Sequence, residues 1–129
     1  MNDKLINVTK YEYKYRRALN YIYIGRKWEK GGYVKDSLIA NKYKIGRDGT
    51  REEVIKKYKR WLWEEMKKGI RGENNKVWNY LKDLAGSINE GHNIHLVCWC
   101  KPKACHGDIV KLAIEWMIEN GYYTVWNSK

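Results

Sequence analysis

Apolar residues recur at two spacings along the chain, and the spacings separate helices from strands. Within "GTREEVIKKYKRWLWEEMKKG", residues 49–69, Val54, Ile55, Tyr58, Leu62 and Met66 fall three or four apart, the stripe of an amphipathic helix. Thr50 followed by Glu53 forms a capping box, and Gly69 is the expected stop. "NNKVWNYLKDLAG", 74–86, predicts a second helix with Val77, Tyr80, Leu81 and Leu84 inward, capped by Asn74 or Asn75 and stopped by Gly86. A third runs over 107–121 with Ile109, Leu112, Ala113, Trp116 and Met117 inward and Asn120-Gly121 at its close.

"YIYIGR", 21–26, and "NIHLVCWC", 93–100, are short β-branched and aromatic runs and predict strands. The near-continuous apolar run Ile94–Trp99 suits a strand covered on both faces, as in a parallel sheet. "YYTVW", 122–126, reads as a last strand, and alternating Tyr11, Tyr13 and Tyr15 as one strand face. Residues 1–10 suit a start of low order. Residues 27–50 carry Gly31-Gly32, Asn41, Gly46 and Asp48-Gly49 without a helical period, which makes them a long excursion from a strand end.

Strands alternating with helices imply an α/β fold: a single Rossmann-like domain over 21–129 with a short, mostly parallel sheet flanked by helices, and 1–20 as an N-terminal extension or edge segment. Ligands of such sheets bind outside the carboxyl ends of the strands. Gly25-Arg26 follows one strand end and "CKPKACHGD" the other, so the two loops are expected to converge on one crevice.

Composition narrows the picture. No run of about 18 apolar residues suggests a membrane span. "MNDKLINVTK" lacks the long apolar stretch of a secretory signal, and three cysteines cannot all pair internally, so a reducing cytoplasm is the expected setting. The formal charge of +11 attracts polyanions, which makes nucleic acid a candidate partner; a solvated Lys-rich surface is the plainer reading.

The chemistry concentrates in "CWCKPKACHGD", 98–108, which holds every cysteine and the single proline. One reading is metal. Cys98, Cys100, Cys105 and His106 are suitable zinc ligands, though their spacing lacks the usual separated pairs. A second is a thiol nucleophile. Cys105 precedes the first turn of the third helix, where the dipole favours thiolate, with His106 as base and Asp108 orienting the imidazole. A third is an anion cradle of backbone N–H groups, with Lys101 and Lys103 adding charge and Gly107 allowing close approach. A buried structural thiol in a shaped turn accounts for the same residues without function.

Four separated motifs then carry a resemblance. Tyr23-Ile24-Gly25-Arg26, Ser37…Ala40-Asn41, Ile45-Gly46…Asp48-Gly49-Thr50-Arg51-Glu52-Glu53 and Leu96-Val97-Cys98-Trp99-Cys100-Lys101-Pro102…Cys105-His106-Gly107-Asp108 occur in this order. The chain resembles a small bacterial and phage family, domain of unknown function 4326. The family pattern has Asn-Pro where this chain has Asn41-Lys42. The Cys-His ending is also similar to domain of unknown function 488. The resemblance implies a compact α/β domain with a site built from these motifs, and supplies no reaction.

Beside it, Arg26 and Arg51 are candidate phosphate clamps, with Gly25, Asn41, Cys100, Lys101 and Gly107 as further ligand contacts. Arg47 is a weaker candidate of the same kind. Trp28, Tyr33 and Tyr43 suit base stacking or pinning of the excursion. His95 suits a satisfied core position and His92 a solvated one. The leading expectation is a nucleotide or other phosphate-bearing ligand, processed through Cys105, His106 and Asp108 if the protein is an enzyme. The alternatives are a basic nucleic-acid module with structural zinc, and a phage-like sponge or inhibitor of a host system.

Overall fold

The computed structural model describes residues 5–99 and 103–126. Strand β1 spans Ile6–Lys10, β2 Tyr21–Tyr23 and β3 Ile94–Cys98; helix α1 spans Arg51–Ile70, α2 Lys76–Asn89 and α3 His106–Glu119. The sheet order is β1-β3-β2, and both outer strands run parallel to β3. This is the α/β architecture expected. Among the described residues no helix is long and apolar enough to cross a membrane.

The register divides the sheet into two faces. Ile6, Val8, Ile22, Ile94, Leu96 and Cys98 share one face, and they join the core made by Tyr58, Leu62, Leu81, Ala85, Val110, Ile114 and Met117 of the helices. The other face carries Thr9, Tyr21, Tyr23, His95 and Val97. Rings cover it: Tyr15 stacks on Tyr21 at 4.3 Å, Tyr21 on His95 at 4.2 Å and Tyr23 on Tyr33 at 3.7 Å. Val97 is therefore buried like a strand sandwiched by helices, although aromatic side chains make the second layer.

Several expectations need correction. Residues 6–10 are a sheet edge rather than a segment of low order. Tyr13–Arg17 form a 3-10 turn rather than a strand, since the chain must cross from β1 to β2 around β3. Residues 122–126 are not a strand. They lie along α2, where the Thr124 N–H donates to the Lys82 carbonyl at 3.1 Å and its hydroxyl to Asp83 at 2.8 Å.

The helix caps follow the sequence at their N-termini. Thr50 Oγ1 accepts from the Glu53 N–H at 3.2 Å, and Glu53 Oε1 from the Thr50 N–H at 2.8 Å. Asn75 caps α2 through the Trp78 N–H at 2.8 Å. The expected stops, Gly69 and Gly86, lie inside their helices. Gly72 and Gly91, with φ of 96° and 98°, provide the left-handed turns just beyond the helix ends. Gly69 and Gly86 are small for another reason: a Cβ would run into the Trp78 ring at the first and the Thr124 carbonyl at the second.

Because the obstacle at Gly86 is backbone, Gly86→Ala is expected to destabilise the protein by ~2 kcal/mol through overpacking. Urea unfolding of the full chain measures it; a change within about 0.5 kcal/mol, the range of a neutral surface substitution, would contradict the tight α2–Thr124 contact.

Candidate functional site

The carboxyl ends of β2 and β3 open onto a cleft of about 650 Å³. Its walls come from the segment after β2 (Gly25, Arg26, Lys27, Trp28), the excursion (Asn41, Tyr43, Lys44), the start of α1 (Arg51, Val54) and the Cys-His loop (Cys98, Trp99, Cys105, His106). The two strand-end loops thus share one crevice, as the strand-end rule requires.

Direct bonds hold them together. His106 Nε2 lies 2.8 Å from the Ile24 carbonyl. A carbonyl only accepts, so Nε2 carries the proton and Nδ1 the lone pair. Burial holds the imidazole pKa below its usual value, and the Arg26 charge adds to this, outweighing the opposite pull of the Ile24 bond and Asp108. Gly25 leaves room for the Tyr23 phenol, which folds over it to donate to the Arg26 carbonyl at 2.8 Å; a Cβ would push that ring aside.

Arg26 donates Nη1 to the Asn41 carbonyl at 2.8 Å, and Arg51 donates Nη1 to the Ala104 carbonyl at 3.0 Å. Among the described residues neither guanidinium has a carboxylate within ion-pair distance. Arg47 differs: it lies on Asp48 at 2.7 Å, away from the cleft lining. That contact, with the Lys44 N–H, holds the Asp48 carboxyl down at about 2.

Asn41 is a positioning residue. Its side-chain oxygen accepts from the Tyr43 N–H at 2.9 Å and its amide donates to the Val54 carbonyl at 3.4 Å, so the side chain shapes the loop while the backbone steadies Arg26. No proline is needed after it, because this side-chain turn closes the bend. Gly107 faces Val8 and Ile24 rather than the lining, and its smallness lets α3 sit on the sheet. The Asp108 carboxylate accepts from the Cys105 N–H at 3.1 Å as a helix cap, while the described partner of the His106 Nε2–H is Ile24.

Cys105 occupies the helix N-cap, yet its thiol is pushed far up from its ordinary value, first by the hydrogen bond with Cys98 and then by burial. The neighbouring sulfur and burial thus act against the helix dipole at this position. Among the described residues no three His, Cys, Asp or Glu side chains form a group suited to a metal. The Cys98 and Cys105 sulfurs, 3.1 Å apart, are also closer than the ~3.8 Å that two 2.3 Å bonds to one tetrahedral zinc would impose. Cys100 and Lys101 lie outside the described residues; Lys103 is described and exposed.

Sequence reasoning missed Tyr23, Lys27, Lys44 and Trp99 as lining residues. Tyr23, Lys27 and Trp99 lie at or just past strand ends, where the rule that selected Arg26 would have found them; Lys44 carries no such signal.

A buried neutral imidazole has a pH signature. The folded pKa lies below the unfolded value of about 6.5, so on acidification the unfolded chain takes up the proton first. His106's contribution to stability is full above about pH 6.5 and is lost as the pH falls towards the folded value. His106→Gln, which can still donate to Ile24, is expected to flatten the stability slope below about pH 6.5; chemical denaturation across pH measures it, and an unchanged slope would contradict the buried neutral form.

Searches of curated proteins and of solved structures return no match. A family model described as domain of unknown function (DUF4326) matches residues 7–116, which include all but the first residue of β1, the whole described cleft lining and most of α3. The chain belongs to that family.

Proposed function

We propose that the cleft binds a nucleotide or another phosphate-bearing ligand. The observation that carries this reading is its charge. Arg26, Lys27, Lys44 and Arg51 line the cleft, and no Asp or Glu is among the lining residues. Asp36 and Asp48 accept the Lys27 and Lys44 backbone N–H groups at 2.6 and 2.7 Å from outside the lining, so the four cations are only partly balanced, and an anion in the cleft relieves their remaining repulsion. Each guanidinium carries five N–H groups, and the described bonds use Nη1 alone, so planar pairing with phosphate oxygens remains available.

The remaining lining suits a base or sugar. Trp28, Tyr43 and Trp99 present ring surface, and Val54 and Ile55 add apolar area. The cavity volume falls in the usual small-ligand range of roughly 300–1,000 Å³. The reading is one of binding. Cys105 as a nucleophile is not part of it, since the hydrogen bond with Cys98 and burial push its thiol up.

Calorimetric titration with adenosine monophosphate, inorganic phosphate and adenosine tests the reading. The two phosphate-bearing probes are expected to bind and adenosine to bind more weakly. Arg26→Gln and Arg51→Gln should each weaken phosphate binding by roughly ten- to a hundredfold, the worth of a charged hydrogen bond. Arg47→Ala, already paired with Asp48, should leave it unchanged. Equal affinity in all three variants, or no binding of either phosphate probe, would refute the assignment.

A further inference from the structure

Cys98 ends β3 and Cys105 caps α3, and their Sγ atoms lie 3.1 Å apart. Both side chains are almost fully buried, with 1% and 2% exposure, while both residues line the cleft wall. Their backbones are fixed independently. The Cys98 carbonyl accepts from the Tyr11 N–H at 2.7 Å, the Cys105 N–H donates to Asp108, and His106 ties the next residue to Ile24. The fold therefore holds two thiols in contact across six intervening residues, and a covalent bond of ~2.05 Å needs only about 1 Å of further approach.

We propose that Cys98 and Cys105 form a redox-active pair, converted by a peroxide into a disulfide in the wall of the cleft. The electrons balance with hydrogen peroxide as oxidant. One sulfur attacks a peroxide oxygen, the O–O bond breaks, and a sulfenic acid and water result. The second sulfur attacks the sulfenic sulfur, the S–O bond breaks, and a second water leaves with the remaining thiol proton. Both sulfurs are oxidised and both peroxide oxygens reduced. The bridge closes a ring over residues 98–105, including Ala104, whose carbonyl anchors Arg51. The redox state of the pair thus sets the stiffness of the wall that carries one cation of the cleft. The pairing does not depend on the phosphate reading, and its test reads covalent structure rather than ligand affinity.

The native wild-type chain is treated with hydrogen peroxide, quenched by alkylation, digested with trypsin and mapped by mass spectrometry. Cleavage after Lys103 separates Cys105 from Cys98 and Cys100. The expected product is one monomeric chain lighter by two hydrogens, with Cys98 linked to Cys105, Cys100 alkylated, and full reversal by dithiothreitol. Cys100→Ser should retain the link and Cys98→Ser should abolish it. Three alkylated thiols after treatment, separate higher oxides on Cys98 and Cys105, or a link through Cys100 would each overturn the proposal. The oxidised wild-type chain should also show a higher thermal midpoint than the reduced one, because the bridge restricts the unfolded chain; an equal or lower midpoint would contradict closure without strain.

Discussion

The cleft depends on one buried contact, the His106 Nε2–H donated to the Ile24 carbonyl. Leaving such a carbonyl unsatisfied in a dry interior costs about 1–3 kcal/mol, so the first turn of α3 is held at the end of β2. That placement brings Cys105 to Cys98 and sets the Ala104 carbonyl within reach of Arg51. Tyr58 extends the tie. Its ring stands edge-on to His106 at 4.9 Å, while its hydroxyl donates to the Ile39 carbonyl at 2.6 Å, fastening the excursion to α1. An excursion that looks unstructured by periodicity is thus fastened at Ile39 and Asn41.

The imidazole also sets the electrostatic character of the cleft. Held neutral by burial and by Arg26, it adds no charge of its own. Positive potential comes from the longer side chains at the rim. The His106 ring is committed to the fold through its bond to Ile24.

The three helices and strands β2 and β3 were legible because their apolar runs are clean. β1 was not: "INVTK" alternates apolar and polar over five residues, and its partner in β3 is some 88 residues away, which no local pattern reveals. The segment 122–126 failed for the opposite reason, since strand-like residues serve equally well against a helix. Gly69 and Gly86 show that a glycine near a helix end can answer a packing demand from a distant residue. At the site, the strand-end rule placed Arg26 and Cys105-His106 on one cleft, which Arg51 joins from the first turn of α1. It could not reveal that Asn41 spends its side chain on its own loop, or that the Cys98 thiol would lie against Cys105.

The strand order carries a consequence for how the molecule is made. Among the described residues β1 and β2 are not paired with each other; each has β3, which follows them in sequence, as its sheet neighbour. Until β3 is synthesised neither edge strand has a sheet template, and loop closure over long separations makes that step slow. Once β3 arrives, both edges dock on it, and α3 follows directly behind. The crevice between the two strand-end loops is thus assembled in one step, when β3 and α3 take their places together.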